Sequence, residues 1–240
     1  MTVKLYRKPR LKNPQMVAAW PGIGDVALRV ATYLRDKLGA EELGEIEPFG
    51  FFHPAGVMVE NNVIHIPEMP DASELPQSKF YVWRNSPPGN DMIIFIGDAQ
   101  PPGMELELAR EVMEVARKFG VKRVYTSAAA VATISHSHKP KVWAAATRAE
   151  LLDYLRNYDV VLRDKIHISG LNGLLVAVAE EVGIEGICLL GEVPFYIAQI
   201  GIEYPKSARA VLEVLTQMME IQIDMTDIDE LVEALSGGAS

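Results

Sequence analysis

Five short segments rich in small residues, each placed after a stretch that looks like a β-strand, constrain this fold more than any other feature. They occupy residues 20–25, 97–103, 127–130, 169–173 and 191–194. In an open α/β sheet, ligands bind outside the carboxyl ends of the strands. We therefore predict that the five segments are turns that lie along one edge of a sheet and share one crevice.

Strands and helices alternate along the chain, which predicts the class of fold. Residues 92–96 form a continuous apolar run, typical of a parallel strand buried on both faces. Apolar residues at helical spacing predict helices over 25–38, 104–118 and 206–221. This alternation indicates an α/β fold, a three-layer α/β/α sandwich with a mostly parallel, mixed central sheet.

Shorter elements complete the prediction. Asn61 and Asn62 tolerate positive φ and predict a two-residue hairpin, which either makes the sheet mixed or forms a small separate β region. The other predicted elements are strands at 16–20, 80–84, 123–126, 142–146, 167–169 and 186–190, and helices at 148–156, 172–181 and 227–235. Residues 1–235 are expected to form one domain, followed by a disordered tail at 236–240.

Composition excludes several classes of partner. The net charge of −9, from 23 basic and 32 acidic residues, argues against a nucleic-acid binder. The longest apolar runs are too short to cross a membrane, and the N-terminus lacks the apolar stretch of a secretory signal. A single cysteine, Cys188, rules out an intramolecular disulfide and fits a reducing compartment. We expect a cytoplasmic protein with neither nucleic-acid nor membrane partners.

The first turn holds the candidate binding residues Gly22, Gly24 and Asp25. Its two glycines match the start of a dinucleotide-binding fingerprint, but Leu28 stands where the third glycine belongs. A nicotinamide cofactor is therefore not expected. The turn either presents backbone N–H groups to an anion or simply reverses the chain.

Polar candidates follow two other predicted strands. Gly97, Asp98 and Gln100 come after residues 92–96, and Glu192 comes after residues 186–190. Two carboxylates at neighbouring strand ends could act as general acid and base. Alternatively, each carboxylate could cap a helix or accept hydrogen bonds from turn amides.

Gly170, Asn172 and Gly173 mark the fourth turn as a further part of the predicted crevice. Asn172 is suited to cap a helix. The two glycines allow close approach, either by a ligand or by a neighbouring helix.

No catalytic or metal-binding set emerges from the sequence. His136 and His138 are two residues apart, but no other His or Cys lies near them, and a zinc site needs three or four ligands. A polar loop beside the crevice is the favoured interpretation. Neither a Gly-x-Ser-x-Gly elbow nor a phosphate-binding Gly-Lys-Ser/Thr motif occurs. We predict no catalytic residue, no metal and no cofactor.

Three segments together resemble a known family. They are AWPGIGDV at residues 19–26, ISGLNGLL at 168–175 and ICLLGEVPFY at 187–196, followed by PKSA at 205–208 before a long helix. Their order and spacing are similar to those of the proteasome assembly chaperone 2 family, over roughly residues 15 to 235. The resemblance implies an α/β/α sandwich similar to the phosphorylase/hydrolase type, homo-oligomers, and no enzymatic activity established for the family generally.

Two departures from the family pattern qualify this resemblance. The first segment usually reads Gly-Asn-Val-Gly, where this chain has Gly24-Asp25-Val26-Ala27. Some assembly chaperones dock between proteasome subunits through a terminal hydrophobic–Tyr–any-residue tail. Here the last residues are Gly-Gly-Ala-Ser, so docking of that kind is not expected.

Two functions remain open at this point. The first is a non-enzymatic, homo-oligomeric binding or assembly protein linked to a proteasome-type complex, favoured by the lack of a nucleophile–base pair. The second is a small-molecule-binding protein or hydrolase/phosphorylase-like enzyme, favoured by the gathering of five turns.

Three bulky apolar residues are candidates for the homo-oligomer contact. Phe195 and Tyr196 lie in a segment that reads as a loop, and Met218 lies near the end of the predicted helix 206–221. Because large exposed apolar patches mark interfaces, we expect these residues at or near the contact. The alternative is that they cover the sheet within one chain.

Overall fold

A computed structural model describes residues 3–53, 56–86 and 89–237. Within these residues, nine strands form one sheet and two more form a separate hairpin. The strands are β1 (Val3–Leu5), β2 (Gln15–Ala19), β3 (Glu41–Ile46), β4 (Met58–Glu60), β5 (Val63–His65), β6 (Ser78–Trp83), β7 (Met92–Gly97), β8 (Arg123–Ala132), β9 (Val142–Ala146), β10 (Val161–Leu162) and β11 (Glu185–Pro194).

Helices cover both faces of the large sheet. They are α1 (Val26–Leu38), α2 (Glu105–Lys118), α3 (Glu150–Leu155), α4 (Leu171–Glu181), α5 (Phe195–Ile200), α6 (Pro205–Met218) and α7 (Thr226–Gly237). One buried cluster joins the sheet to α1 and α6, with contributions from α3 and α7. A second joins the opposite face to α2 and α4. The predicted three-layer α/β/α sandwich is confirmed.

The sheet is mixed, with its parallel strands at the centre. The strand order is β1-β3-β6-β7-β2-β8-β11-β9-β10. The four neighbours β7, β2, β8 and β11 run parallel, whereas β6 and β3 pair antiparallel on one side and β9 pairs antiparallel to β11 on the other. Strands β2, β7, β8 and β11 all end on the same side of the sheet. We call this side the strand-end edge.

The segment between β3 and β6 belongs to this same edge. Ser78, the first residue of β6, pairs with Gly97, the last residue of β7. Glu45, near the end of β3, pairs with Lys79 of β6. The chain therefore leaves the sheet at the strand-end edge after β3 and returns there at β6. The β4–β5 hairpin lies within this excursion, and Asn61 and Asn62 have the positive φ values of 49° and 63° that its two-residue turn favours.

Several sequence-based boundaries were wrong. Residues 127–130 and 191–194 are not turns, because β8 and β11 continue through them as parallel strands. The pairing runs from Arg123 opposite Glu185 to Ala132 opposite Pro194. Residues 167–169 are irregular rather than a strand. Residues 195–200, which read as a loop, form the helix α5. Helix α7 extends to Gly237, so the predicted tail is helical at its first two residues, and 238–240 lie outside the described residues.

Candidate functional site

A cavity of about 450 Å³ opens at the strand-end edge. Residues 128–130 of β8 and Leu190 of β11 form part of its lining. Gly22 follows β2, Gln100 follows β7, and the irregular segment 165–170 precedes α4 on the remaining sides. Four of the five small-residue segments thus contribute to one cavity, and Leu190 adjoins the fifth.

Asn172 links two of these segments at the cavity wall. The Trp20 amide donates to Asn172 Oδ1 at 2.9 Å, and Asn172 Nδ2 donates to the Trp20 carbonyl at 2.9 Å. The Asn172 residue is only 4% exposed. It does not cap α4, because that position belongs to Gly170. Asn172 therefore fastens the start of α4 to the end of β2.

Gln100 makes a second link between the same elements. Its Nε2 donates to the Pro21 carbonyl at 2.8 Å, and its Oε1 accepts from the Leu171 amide at 2.8 Å. Both carboxamides are therefore engaged with backbone groups that shape the cavity. Their geometry favours a positioning role over direct chemistry on a ligand.

Gly170 has a backbone that only glycine adopts readily, at φ 76° and ψ −178°. A Cβ built there would lie 2.6 Å from Gln100 Oε1. We expect Gly170→Ala and Gly170→Val to lower the free energy of unfolding by about 1–3 kcal/mol, measured by urea denaturation. Gly183→Ala is the matched control, because Gly183 has φ 77° but nothing within 4 Å of its added Cβ. If Gly170→Ala and Gly183→Ala lower the free energy of unfolding equally, the contact with Gln100 does not contribute to the loss.

The hydrogen bonds of Asp98 and Glu192 indicate structural roles for both carboxylates. Asp98 Oδ2 accepts from the Gln77 amide at 3.0 Å, just before β6. Glu192, 7% exposed, accepts from the Lys141 amide and from Trp143 Nε1, both at 3.0 Å. Each carboxylate accepts hydrogen bonds from N–H groups of neighbouring segments, and neither lines the cavity. These contacts favour the second of the two predicted roles, in which each carboxylate accepts hydrogen bonds from N–H groups, over a general acid–base pair.

The remaining turn residues also lie outside the cavity lining. Gly24, at φ 64°, packs against Tyr204, and a Cβ on Gly97 would meet the Trp20 indole. A Cβ on Gly173 would meet Ile168. Asp25 precedes α1 at φ 47°, and its side chain makes no capping hydrogen bond. Close packing within the chain accounts for the absence of a side chain at Gly97 and Gly173, and the positive φ accounts for it at Gly24.

Titratable groups near the cavity do not assemble into a catalytic set. Burial raises the pKa of the Cys188 thiol to about 11, and it remains protonated at neutral pH. His136 Nδ1 lies 2.8 Å from the Tyr196 hydroxyl, and His138 is not part of that contact. Among the residues that the structure describes, no group of three His, Cys, Asp or Glu side chains is placed to hold a metal. Lys165, His167 and Ser169 line the cavity and offer only polar or charged contacts to a ligand.

An apolar surface surrounds α5 beside the cavity. Helix α5 packs on β8, on β11 and on the turn after β2. We call this the α5 surface. Its large apolar side chains are all at least 40% exposed: Ile23, Val131, Phe195, Tyr196, Ile200, Ile202 and Leu235. Ile200, Ile202 and Leu235 line a groove of about 350 Å³ that reaches Tyr204. Sequence reasoning identified only Phe195 and Tyr196 here.

Met218 belongs to the core of its own chain. It is 4% exposed and lies in the buried cluster with α1 and the sheet. Its carbonyl accepts a hydrogen bond from the Tyr154 hydroxyl at 3.1 Å. The amphipathic face of α6 covers the sheet, so Met218 follows the alternative in which the residue covers the sheet within one chain. Phe195 and Tyr196, at 55% and 42% exposure, remain predicted contact residues.

The fold and this edge define an α/β/α sandwich that carries a cavity with polar and apolar lining residues next to an exposed apolar surface. Comparison with known proteins assigns it more closely. The model of the PAC2 family matches residues 16–238, and the chain belongs to that family.

Relatives cover nearly the whole chain. An uncharacterized protein of Methanocaldococcus jannaschii is 29% identical over 228 residues, which span 94% of this chain and 81% of the relative. PbaB of Pyrococcus furiosus, an archaeal proteasome activator, superposes with a TM-score of 0.80 and 28% identity over 98% of this chain and 96% of PbaB. PbaA of the same organism, an archaeal homolog of proteasome-assembly chaperone, gives a TM-score of 0.73 with 23% identity over 98% of this chain and 93% of PbaA. At that identity, the likeness to PbaA concerns the fold alone.

Proposed function

We propose that this chain is a non-enzymatic, cytoplasmic binding protein that acts as a homo-oligomer on the assembly or activity of a proteasome-type complex. One observation carries the proposal: the α5 surface gathers seven large exposed apolar side chains at the strand-end edge. Contiguous exposed apolar patches of this kind mark protein–protein interaction sites. The proposed homo-oligomer contact includes Phe195 and Tyr196.

The choice of a proteasome-type partner rests on the similarity of this chain to PbaB. PbaB is a proteasome activator and shares 28% identity with nearly all of this chain. The matched region includes both the cavity and the α5 surface. A proteasome-type particle is therefore the partner that we propose for this chain.

The cavity supports a second candidate function, the binding of a small ligand. Its volume of about 450 Å³ lies in the range of small-molecule sites. Lys165 would recognise a negative charge and His167 would offer a hydrogen-bonding ring, because both line the cavity with exposed side chains. The side-chain amides of Gln100 and Asn172 already bond to backbone groups of their own chain. Fewer polar groups therefore remain in the cavity to orient a ligand.

Co-sedimentation with purified proteasome core particles from the same cells tests the proposal. We expect the wild-type chain to sediment with the particles and to change their rate of peptide hydrolysis. Phe195→Asp combined with Ile200→Asp should weaken both effects at least tenfold, since each change places a carboxylate in an apolar contact.

A cavity variant separates the two candidate functions. Lys165→Ala combined with His167→Ala removes two polar side chains from the cavity lining without altering the α5 surface, and we expect the variant to behave as the wild type. Failure of the wild-type chain to bind core particles would contradict the proposed function. Loss of the effect in the cavity variant alone would favour the small-ligand function.

A further inference from the structure

The β4–β5 hairpin has one wholly apolar face that the other described residues of its own chain leave uncovered. Val59 pairs directly with Ile64, and the alternation of side chains places Val57 and Ile66 on the same side. These four residues, the hairpin face, are 58%, 62%, 68% and 80% exposed for Val57, Val59, Ile64 and Ile66. None of the four belongs to a buried cluster. An isolated two-stranded hairpin is marginally stable in water, so an uncovered β-branched face calls for a partner surface.

Exposed apolar residues concentrate in two places. Among the described residues, sixteen large hydrophobic side chains are exposed, and fourteen of them lie either on the α5 surface or between residues 57 and 69. Only Tyr6 and Phe49 lie elsewhere. Because both groups project from the strand-end edge, one approaching surface could cover both.

The two groups have complementary charge. Residues 48–78, which include the hairpin, contain the carboxylates Glu60, Glu68, Asp71 and Glu74 and no Lys or Arg. The loop 133–141 contains Lys139 and Lys141 and no Asp or Glu. That loop borders the α5 surface, because the His136 amide donates a hydrogen bond to the Tyr196 hydroxyl oxygen at 2.8 Å. Lys139 pairs with Glu213 at 3.4 Å, and the lining of the apolar groove carries both Lys206 and Glu203. An acidic, apolar projection and an apolar groove with a basic loop beside it thus occur on the same chain.

Their positions along the sheet fit a two-fold pairing. The hairpin excursion arises between β3 and β6, and α5 follows β11 and packs on β8. The midpoint between these positions falls between β7 and β2. At about 4.8 Å per strand, the two groups are roughly 20 Å apart. A two-fold axis perpendicular to the sheet at that midpoint, with two strand-end edges facing each other, sets each hairpin against the other copy's α5 surface.

We propose that the hairpin face docks into the α5 surface of a second copy of this chain, and that the reverse contact forms at the same time. The inference rests on the homo-oligomer of the proposed function and identifies the surfaces that form it. An isologous interface makes every contact twice. A standard interface buries about 1,600 Å² in total, so each hairpin contact needs to supply about 800 Å². Charge pairing of the excursion with loop 133–141 sets the orientation.

Three lysine substitutions test the proposal by sedimentation equilibrium over a range of concentrations. Val59→Lys alters the hairpin face, and Ile200→Lys alters the α5 surface. Val63→Lys is the matched control: the same change is made on the same hairpin, but on the opposite face beside Glu60. All three side chains are exposed, and equal urea midpoints would verify that the variants remain folded.

We expect Val59→Lys and Ile200→Lys each to raise the dissociation constant about 30-fold or more, as for residues central to an interface. Val63→Lys should change it less than threefold. Mixing the first two variants should restore part of the association, because the intact hairpin of one meets the intact α5 surface of the other while the reverse contact carries both lysines.

The outcomes separate this inference from the proposed function. If the wild type is oligomeric while Val59→Lys leaves its dissociation constant unchanged, the hairpin contact is wrong and the homo-oligomer stands. If the two variants associate no more tightly when mixed than each does alone, the pairing of the hairpin face with the α5 surface is wrong. A wild type that stays at 26.5 kDa at every concentration would contradict both the homo-oligomer and the hairpin contact.

Discussion

Replacing Asn172 by alanine is expected to lower the free energy of unfolding by about 2–6 kcal/mol. The substitution removes both hydrogen bonds to the backbone of Trp20, a residue that is wholly buried. A buried amide or carbonyl left without a partner costs about 1–3 kcal/mol, and here two such groups are affected. Urea denaturation followed by circular dichroism measures the change.

Two further variants make this prediction specific. Asn157→Ala removes an exposed carboxamide that donates to the carbonyls of Asp153 and Tyr154, and we expect a change within about 0.5 kcal/mol. Asn172→Asp keeps the acceptor for the Trp20 amide but loses the donor to its carbonyl, so its loss should lie near that of the alanine variant. An Asn172→Ala protein as stable as Asn157→Ala would refute the structural role of this side chain.

The regular elements could be predicted wherever local patterns were strong. Helices α1, α2 and α6 have apolar residues at helical spacing, and the central strand β7 is a continuous apolar run. Strand β3 was missed, because its sequence Glu-Glu-Leu-Gly-Glu-Ile contains three carboxylates and little alternation. Its conformation depends on antiparallel pairing with β6 and β1, which a local window does not contain.

Small residues misled the assignment of β8 and β11. Residues 127–130 are Ser-Ala-Ala-Ala, and Gly191 begins the final part of β11. Such residues usually signal turns. Gly191 is small because α6 packs closely on it: a Cβ there would lie 2.1 Å from Ser207 Oγ. Residues 128–130 instead line the cavity. The pairing of β8 with β11, which a local window does not contain, sets the conformation of both segments.

Of the ten residues predicted to form the crevice, Gly22, Gln100, Gly170 and Asn172 line the cavity and the other six do not. Their hydrogen-bond partners were not predictable, since Asn172 bonds to a residue 152 positions away and Gln100 to one 79 positions away. The α5 surface was predicted only in part, because a six-residue helix is too short to show a period.

Phe195→Asp is expected to convert a homo-oligomer into a monomer. Phe195 is 55% exposed and central to the α5 surface, and a carboxylate buried there without a partner would carry a large desolvation cost. We expect the dissociation constant to rise at least about 100-fold, as for truncation of an aromatic anchor. Tyr6→Asp is the control, because Tyr6 is equally exposed, at 53%, but lies outside both apolar groups.

The solution mass of the chain tests most directly whether the strand-end edge is a protein-docking surface. Light scattering at micromolar concentration should give the wild type and Tyr6→Asp a multiple of 26.5 kDa, and Phe195→Asp a value near 26.5 kDa. A wild type that remains at 26.5 kDa, or a Phe195→Asp protein with the mass of the wild-type oligomer, would contradict the account.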